Sequence, residues 1–166
     1  MTEQRSLPET LKGLHFFEGV SPAELALVAS VARLTDHQPG TLIFREGEPL
    51  ADIFVVADGS VSLELCLPGQ GCKRIQTIGP GELLGWSPIL DQKPMTATAR
   101  AVGPTRLVAL DAARLLDLFA RNPAFGLTLM RRTAQALAAR LSATRLKLVG
   151  VYRDDVPLYT GREGAD

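Results

Sequence analysis

The sequence contains few of the residues that mark secreted, membrane-spanning or metal-binding proteins. Its 166 residues include 2 cysteines, 2 histidines and 1 tryptophan, and aromatic residues make up 5% of the chain. A disulfide-rich scaffold requires more cysteine than this. No window approaches the ~18 consecutive apolar residues of a membrane helix, and the N-terminus MTEQRSLPET resembles neither a signal nor a transit peptide. We therefore expect a cytoplasmic chain that does not enter a membrane.

The sequence also lacks a surplus of charge and a recognisable catalytic pattern. Lys plus Arg equals Asp plus Glu at 18 each, so no basic excess is present to drive nucleic-acid binding. His15 and His37 have no second His, Cys or carboxylate at metal spacing. No local pattern combines Ser, His and Asp, or Cys and His, as a nucleophilic site does. We expect neither an enzyme nor a DNA-binding protein.

The two cysteines allow two interpretations. Cys66 and Cys72 lie on either side of Pro-Gly-Gln-Gly, a segment that can form the turn of a hairpin. Because disulfides are rare in cytosolic proteins, the favoured interpretation is two reduced thiols. The alternative is a redox pair that meets across the hairpin.

Hydrophobic residues make up 46% of the chain, which is enough for the core of one domain. Residues 22–34 predict a helix that begins with Ser21 as N-cap, Pro22 at the first helical position and Glu24 three residues after the serine. The lead-in segment 11–17 supplies apolar residues that we expect to pack beside this helix.

The pattern changes between residues 40 and 110, where short apolar runs are separated by glycine-containing turns. These runs are TLIF, DIFVV, SVSLEL, RIQTI and RLVAL. Their length and spacing predict an all-β barrel or roll. Asp58-Gly59 has the composition of a hairpin turn between two strands.

Helical patterns return after Leu110. Asp111 can cap a helix that reaches Arg121, and Pro123 can begin a longer helix that extends to about residue 150. The apolar residues of this last helix follow a heptad repeat, with Leu127, Ala134, Leu141 and Leu148 at one core position and Met130, Leu137, Thr144 and Val151 at the other. Such a repeat predicts the seam of a parallel homodimer through residues 123–150. The alternative is that the stripe packs on its own barrel.

Residues 81–99 read GELLGWSPILDQKPMTATA, a glycine-bracketed turn followed by a Thr/Ala strand. This segment resembles the phosphate-binding cassette of the cyclic nucleotide-binding domains in the catabolite activator and fumarate-nitrate regulator family. Three further segments carry the same resemblance: LHFFEGVSPAELALVASVARL near the start of the chain, PGTLIFREGEPLADIFVVADGSVSL in its middle and LLDLFARNPAFGLTLMRRTAQALAARLSATRLKLVG near its end. The resemblance covers residues 11–152.

The resemblance implies a mainly β fold with flanking helices, namely a double-stranded β-helix or jelly-roll-like β-roll with short N-terminal helices and a long C-terminal helix. It divides the chain into a β-roll with N-terminal helices at 11–121, a dimerisation helix at 122–152 and a flexible tail at 153–166. In the family's transcription factors a winged helix-turn-helix follows the long helix. Only 14 residues follow Tyr152 here, so we expect a stand-alone sensor domain.

By the same resemblance, the ligand-binding residues are a first segment of Gly81, Glu82, Leu83, Leu84, Gly85 and Trp86 and a second of Met95, Thr96 and Ala97. Exposed backbone N–H groups in such a loop stabilise an anion, although the two glycines can also serve only to turn the chain. Trp86 stands where the family has a ribose-binding Glu, and it can either stack on a base or plug the pocket. Met95 stands where the family has a phosphate-binding Arg, and it offers neither charge nor donor.

A cation from elsewhere in the chain can replace the missing Arg. Lys93 lies two residues before Met95, whereas Arg100 falls on the opposite face of an extended strand. On the last helix, Arg145 follows Thr144, which by its heptad position lies where the family's helix reaches the base. We therefore name Lys93 and Arg145 as candidate replacement cations and Thr144 as a candidate base contact.

The leading hypothesis from the sequence is a dimeric regulatory module that binds cyclic AMP, cyclic GMP or another small anion in a modified cassette. It would signal through its C-terminal helices to a downstream protein of unknown identity. The alternative is a degenerate fold that serves as a protein-interaction or dimerisation module without ligand. An open pocket favours the first hypothesis and a closed apolar pocket the second.

Overall fold

Two antiparallel four-stranded sheets form the β part of the chain, as far as the computed structural model describes it, which is for residues 6–90 and 94–151. The first sheet has the order β1-β8-β3-β6 and the second the order β2-β7-β4-β5. The strands are β1 Ala32–His37, β2 Leu42–Phe44, β3 Asp52–Asp58, β4 Val61–Leu67, β5 Gly71–Ile78, β6 Leu83–Leu84, β7 Thr98–Ala101 and β8 Thr105–Asp111. The predicted mainly β roll with flanking helices is confirmed.

The N-terminal segment is helical, with α1 at Leu7–Lys12, a short 3-10 turn at His15–Phe17 and α2 at Pro22–Val31. Ser21 caps α2 as predicted, because its hydroxyl accepts the backbone N–H of Glu24 while the Glu24 carboxylate accepts that of Ser21. The helix ends three residues earlier than predicted. Residues from Ala32 onward form β1, whose antiparallel register with β8 satisfies the backbone that a longer helix would have occupied.

The turn at Asp58-Gly59 is present, but it does not join a hairpin. β3 belongs to the first sheet and β4 to the second, so the chain crosses here from one sheet to the other. Gly59 has φ +81°, and a Cβ atom on it would lie 2.3 Å from the backbone oxygen of Pro104. The corner therefore requires glycine for both its backbone angle and its lack of a side chain.

The first sheet is buried on both faces because alternate residues of its central strands enter two different apolar clusters. In β3, Ile53 and Val55 face the helices, whereas Phe54 and Val56 face the second sheet. We call the first of these the helix-side cluster and the second the roll interior. The second sheet contributes to the roll interior only.

The prediction that Cys66 and Cys72 are reduced thiols is wrong in this structure. The two residues lie directly opposite one another in the β4–β5 ladder, with their Cα atoms 3.9 Å apart, and they form a disulfide. The sequence places a turn between them, but it is the antiparallel register that makes them direct neighbours.

Two helices follow β8. Asp111 accepts the backbone N–H of Arg114 and begins α4 at Ala112–Arg121, as predicted, and α5 extends over Pro123–Val151. The chain divides into one unit up to Ala136 and a second from Leu137, so α5 contributes to both. None of the helices described in the structure is long and apolar enough to span a bilayer.

One face of α5 packs on its own domain and another does not. Phe125, Leu129 and Thr133 are buried with 3% or less of their surface accessible. The heptad stripe predicted for the dimer seam is divided: Leu127, Leu141 and Leu148 are 62%, 53% and 57% exposed, whereas Met130 is half-buried and packs against the helix-side cluster. Within the first unit, the stripe therefore packs on its own domain at Met130 and does not do so at Leu127.

Candidate functional site

The first segment of the cassette lies between the two apolar clusters, and successive residues turn to different sides. Leu83 enters the helix-side cluster and Leu84 the roll interior, with 1% and 0% of their surfaces exposed. Both belong to β6, which pairs with Phe54 and Val55 of β3. These two leucines therefore hold the cassette on the sheet, with one side chain buried in each cluster.

The backbone N–H groups at the start of the cassette bond to the protein itself. The N–H of Gly81 donates to the Val56 carbonyl at 2.8 Å, and the N–H of Glu82 donates to the Gly79 carbonyl at 3.2 Å. The Glu82 carboxylate accepts the N–H of Gly79 at 2.6 Å. Gly81 and Glu82 therefore close a turn on β3, and an anion would have to be held by groups further along the cassette.

At Gly85 the cassette backbone lies close to side chains of the roll interior. Its φ is +70°, and a Cβ atom built on it would lie 2.8 Å from Leu50 Cδ2 and 3.4 Å from Phe44 Cε1. A larger residue would be strained by both the angle and the contacts. The lack of a side chain thus brings the chain against apolar groups, followed by the short helix α3 at Ser87–Leu90.

The structure places the two altered positions of the cassette on different sides. Met95 is buried in the roll interior with 7% of its surface exposed. Trp86 is half-buried and packs against the helix-side cluster instead. Met95 therefore places an apolar side chain inside the roll, whereas Trp86 packs against the helix-side cluster.

The second segment of the cassette is held by the loop at residues 45–48. The N–H of Gly47 donates to the Met95 carbonyl at 2.7 Å, and the N–H of Met95 donates to the Glu48 carbonyl at 3.0 Å. The hydroxyl of Thr98 accepts the N–H of Glu46. Thr96 is exposed and Ala97 half-buried, so the Thr96 hydroxyl lies at the surface of this segment.

The same loop adds a cation that the sequence analysis did not consider. Arg45 is exposed, and its carbonyl accepts the N–H of Glu48 within the turn that holds Met95. Glu46 and Glu48 follow it in the sequence, so the loop carries carboxylates as well as a guanidinium. A sequence signal exists in REGE, a turn with a charged residue on each side of glycine, but only the pairing with residue 95 relates it to the cassette.

The polar contacts of Arg100 lie outside the roll interior, on the opposite side to Met95, as strand alternation predicts. Its neighbour Ala99 lies in the roll interior. The Arg100 guanidinium lies 3.6 Å from the Glu64 carboxylate and donates to the Gly40 carbonyl at 2.8 Å. The Ser62 hydroxyl, beside it, donates to Glu64 at 2.7 Å. This polar group stabilises the outer face of the second sheet.

The candidate replacement cations and the candidate base contact lie outside the unit that holds the cassette or outside the described residues. Lys93 lies outside the described residues. Thr144 and Arg145 are exposed residues of α5 in the second unit, and the Thr144 hydroxyl donates to the Arg140 carbonyl of its own helix at 2.9 Å. The roles proposed for these three residues stay predictions.

A short series of contacts connects the cassette to α5 within the first unit. A Cβ atom on Gly81 would lie 3.3 Å from His15 Cβ, so the 3-10 turn at His15–Phe17 rests directly on the cassette. The next residue, Glu18, accepts a hydrogen bond on its carbonyl from the Arg132 guanidinium. The sequence gives only a weak signal for this contact, since Arg132 borders the buried face that includes Leu129 and Thr133.

Metal binding has no support in the part of the chain that the structure covers. Across residues 6–90 and 94–151, no three His, Cys, Asp or Glu side chains are grouped closely enough to hold a metal ion. The exposed His15 ring contacts Glu18 at 2.7 Å, and His37 contacts the hydroxyl of Thr35 at 2.9 Å. Each histidine thus has a local structural contact.

Comparison with known proteins agrees with this architecture. The profile described as "Cyclic nucleotide-binding domain" matches residues 34–122. The chain belongs to this family. The match includes the whole cassette and all of the strands except the first residues of β1.

Members of the family with similar sequences include regulators. The chain is 33% identical over 138 residues to "Cyclic AMP receptor protein" of Thermus thermophilus, covering 83% of this chain and 62% of the relative. It is 28% identical over 151 residues to "CRP-like cAMP-activated global transcriptional regulator" of Mycobacterium tuberculosis, covering 91% of this chain and 66% of the relative. The chain therefore spans a little under two thirds of the length of these relatives.

A solved structure of the family has the same fold. The cyclic nucleotide-binding domain from Methylobacillus flagellatus superposes with a TM-score of 0.76 at 22% identity, covering 92% of this chain and 84% of the other. At this identity the likeness concerns the fold alone. The arrangement of roll, cassette and terminal helices is thus that of a cyclic nucleotide-binding domain.

Proposed function

We propose that this chain is a regulatory ligand-sensing module that binds a cyclic nucleotide or another small anion at its cassette and signals through its C-terminal helices. The observation that carries the proposal is the series of contacts from Gly81 to His15 and from Glu18 to Arg132 on α5. A ligand that moves the cassette must also move the 3-10 turn, and with it the residue that Arg132 holds. Two packings of this segment then give the module two states.

The altered cassette sets the ligand preference. Relatives that are named for cyclic AMP support a cyclic nucleotide, but Met95 removes a charge-assisted contact with the phosphate. Such a loss costs about 1.5 to 3 kcal/mol, or a factor of ten to over a hundred in affinity. Lys93, Arg145 and Arg45 are the candidate cations that offset it. An apolar interior with Met95 favours a ligand whose base or ring contributes more of the affinity than its phosphate does.

The module acts as a homodimer through α5 in this proposal. The stripe at Leu127, Ala134, Leu141 and Leu148 is exposed along the helix. Because the residues repeat every seven positions, two copies of α5 can bury the stripe against each other in register. A second copy is therefore the occupant, and Thr144 then lies in the seam. The output passes to a protein partner, in the cytoplasm, without catalysis by this chain.

The test identifies the ligand and then measures which residues its binding protects from hydrogen exchange. Small molecules released from the purified protein are identified by mass spectrometry, and thermal shift is measured with cyclic AMP, cyclic GMP and cyclic dinucleotides. A ligand at 100 times its dissociation constant adds about 2.7 kcal/mol of stability. Hydrogen exchange should then slow in residues 14–19 and 123–136 together with the cassette.

Two results would contradict the proposal. A flat thermal response across the panel, with no small molecule released, indicates an interaction module without ligand. Binding that protects the cassette but leaves residues 123–136 unchanged rejects the signalling path while keeping the ligand. Alanine variants of Lys93, Arg145 and Arg45 then show which cation, if any, supports the affinity.

A further inference from the structure

The far end of the β4–β5 hairpin extends beyond both apolar clusters. Residues 65–75 of the hairpin are exposed, including Leu65, Leu67 and Ile75 at 36%, 47% and 45% of their surface. β5 is the outer strand of its sheet and pairs only with β4 among the described strands. The hairpin end is therefore stabilised by its own ladder and by the bond between Cys66 and Cys72.

This disulfide is not required by the rest of the fold. Neither cysteine belongs to the helix-side cluster or to the roll interior. The bond joins two cysteines with a sequence separation of 6. A disulfide that closes so short a loop restricts the unfolded chain less than one that closes a long loop. Its effect is local, since it fixes the pairing of the hairpin end beyond the bulge between Leu63 and Glu64.

The bond is also accessible to reagents in solution. Both cysteines are exposed. Arg74 lies two positions from Cys72 in the same strand and so on the same face of the sheet, while Lys73 is the adjacent residue. Positive charge beside a sulfur stabilises it as a thiolate, and a stabilised thiolate is the better leaving group in exchange. Cys66 has no basic residue within two positions in the sequence.

From this arrangement we propose that Cys66 and Cys72 form a reversible thiol–disulfide exchange site whose reaction partner is a dithiol reductant. A thiolate of the reductant attacks the Cys66 sulfur, the bond to Cys72 breaks, and Cys72 leaves as a thiolate. The second thiol of the reductant then attacks the reductant sulfur that is bonded to Cys66, and Cys66 leaves as a thiolate. Two electrons and two protons pass to the cysteine pair, and the reductant becomes a disulfide.

The consequence of the exchange is a change in the order of the hairpin end. Without the bond, the ladder between residues 65 and 73 has no contact with either cluster to hold it. The base of the same ladder reaches the roll interior through Val61, Leu63 and Ile78. Oxidation therefore extends the rigid part of the strand pair from the roll interior to the hairpin tip, and reduction shortens it.

The test titrates the native full chain in mixtures of reduced and oxidised dithiothreitol, followed by alkylation and mass spectrometry. We expect a reversible two-electron titration, in which the ratio of oxidised to reduced protein changes tenfold for each ~30 mV. Hydrogen exchange of amides 65–73 should accelerate at least about tenfold on reduction, while amides of β3 and β8 change less than about twofold. The double variant Cys66→Ser/Cys72→Ser should match the reduced protein in both regions.

Three outcomes would overturn the proposal. The first is a bond that is reduced only when the domain unfolds, and the second is a double variant that does not fold, since both show a structural staple. The third is a reduced protein that does not reform the bond in oxidised dithiothreitol. A reductant dithiol protein that lacks its resolving cysteine provides the matched chemical control, because it should be trapped on Cys66 and not on Cys72.

Discussion

The backbone N–H of Gly47 donates to the carbonyl of Met95 at 2.7 Å, so the loop between β2 and β3 fixes the residue that the sequence resemblance predicts to stand in place of a phosphate-binding Arg. The side chain of Met95 lies in the roll interior with 7% of its surface exposed. The position is therefore held by backbone contacts that any side chain would keep. Its chemistry can be changed without disturbing those contacts.

Met95→Arg should destabilise the free protein by about 3 kcal/mol or more, because an unpaired guanidinium would enter an apolar interior. Saturating cyclic AMP should recover a large part of this loss, since its phosphate can pair with the new cation. Urea unfolding with and without cyclic AMP measures both effects. Met95→Leu is the matched control and should cost less than about 1.5 kcal/mol. Equal destabilisation with and without the nucleotide would show that its phosphate does not reach this position.

The exposed heptad stripe predicts the oligomeric state. Leu141→Lys should weaken the dimer at least about a hundredfold, or about 2.8 kcal/mol, because each copy loses a buried leucine and brings a like charge into the seam. Ser142→Lys adds the same charge one position away and should leave the dimer intact. Sedimentation equilibrium measures the dimer dissociation constant of the parent chain and of the two variants. A monomeric parent chain at micromolar concentration would rule out the seam.

The corner at Gly59 predicts a large difference between two glycines with the same backbone angle. Gly59 and Gly40 both have φ +81°, but a Cβ atom at Gly59 would meet the Pro104 oxygen at 2.3 Å, whereas nothing lies within 4 Å at Gly40. Gly40→Ala should cost about 1–2 kcal/mol from the angle alone. Gly59→Ala should cost more than about 3 kcal/mol, since backbone must move. Similar unfolding free energies for the two variants would contradict the packing at this corner.

Local chemistry explains which parts of the fold were predictable. The Ser21 and Asp111 caps depend on residues within one helical turn, and both were predicted from the sequence. β1 was missed, because residues 32–37 form a strand only through their pairing with β8. The Asp58-Gly59 turn was recognised, but turn composition does not show that the next strand enters the other sheet. The differences at β1 and at the Asp58-Gly59 turn thus both arise from strand pairing between distant parts of the chain.

The candidate site shows the same limit. The sequence alone shows that Met95 cannot pair with a phosphate, because its thioether carries neither a charge nor a hydrogen-bond donor. It did not show that Met95 and Trp86 enter different clusters, because the course of the backbone there depends on long-range packing and on the positive φ of Gly85, which directly precedes Trp86. The contact from Arg132 to the Glu18 carbonyl joins residues far apart in the chain, and the sequence gives only a weak signal for it.

His37 predicts a loss of stability in mild acid. Burial lowers the pKa of His37 from its ordinary value, against the opposing effect of Asp36. The unfolded chain therefore binds a proton at a higher pH than the folded one, so stability falls as pH drops through about 6.5. His37→Gln should flatten this part of the profile. Thermal unfolding between pH 5 and 8 compares the two proteins, and an equal loss of stability in mild acid would contradict the role of His37.

Arg132→Ala should separate signalling from binding. The variant loses a charged hydrogen bond to the Glu18 carbonyl, which at this half-buried position should cost about 1 kcal/mol of stability. Hydrogen exchange in residues 14–19 should accelerate, and the protection of residues 123–136 by a bound ligand should fall, while the cassette itself is still protected. Arg131→Ala is the matched control, since Arg131 is the adjacent exposed arginine of α5. If both variants transmit ligand binding to α5 as the parent chain does, the coupling does not pass through Glu18. If only Arg132→Ala fails to transmit it, the carbonyl of Glu18 is the point at which the cassette and the C-terminal helix are joined.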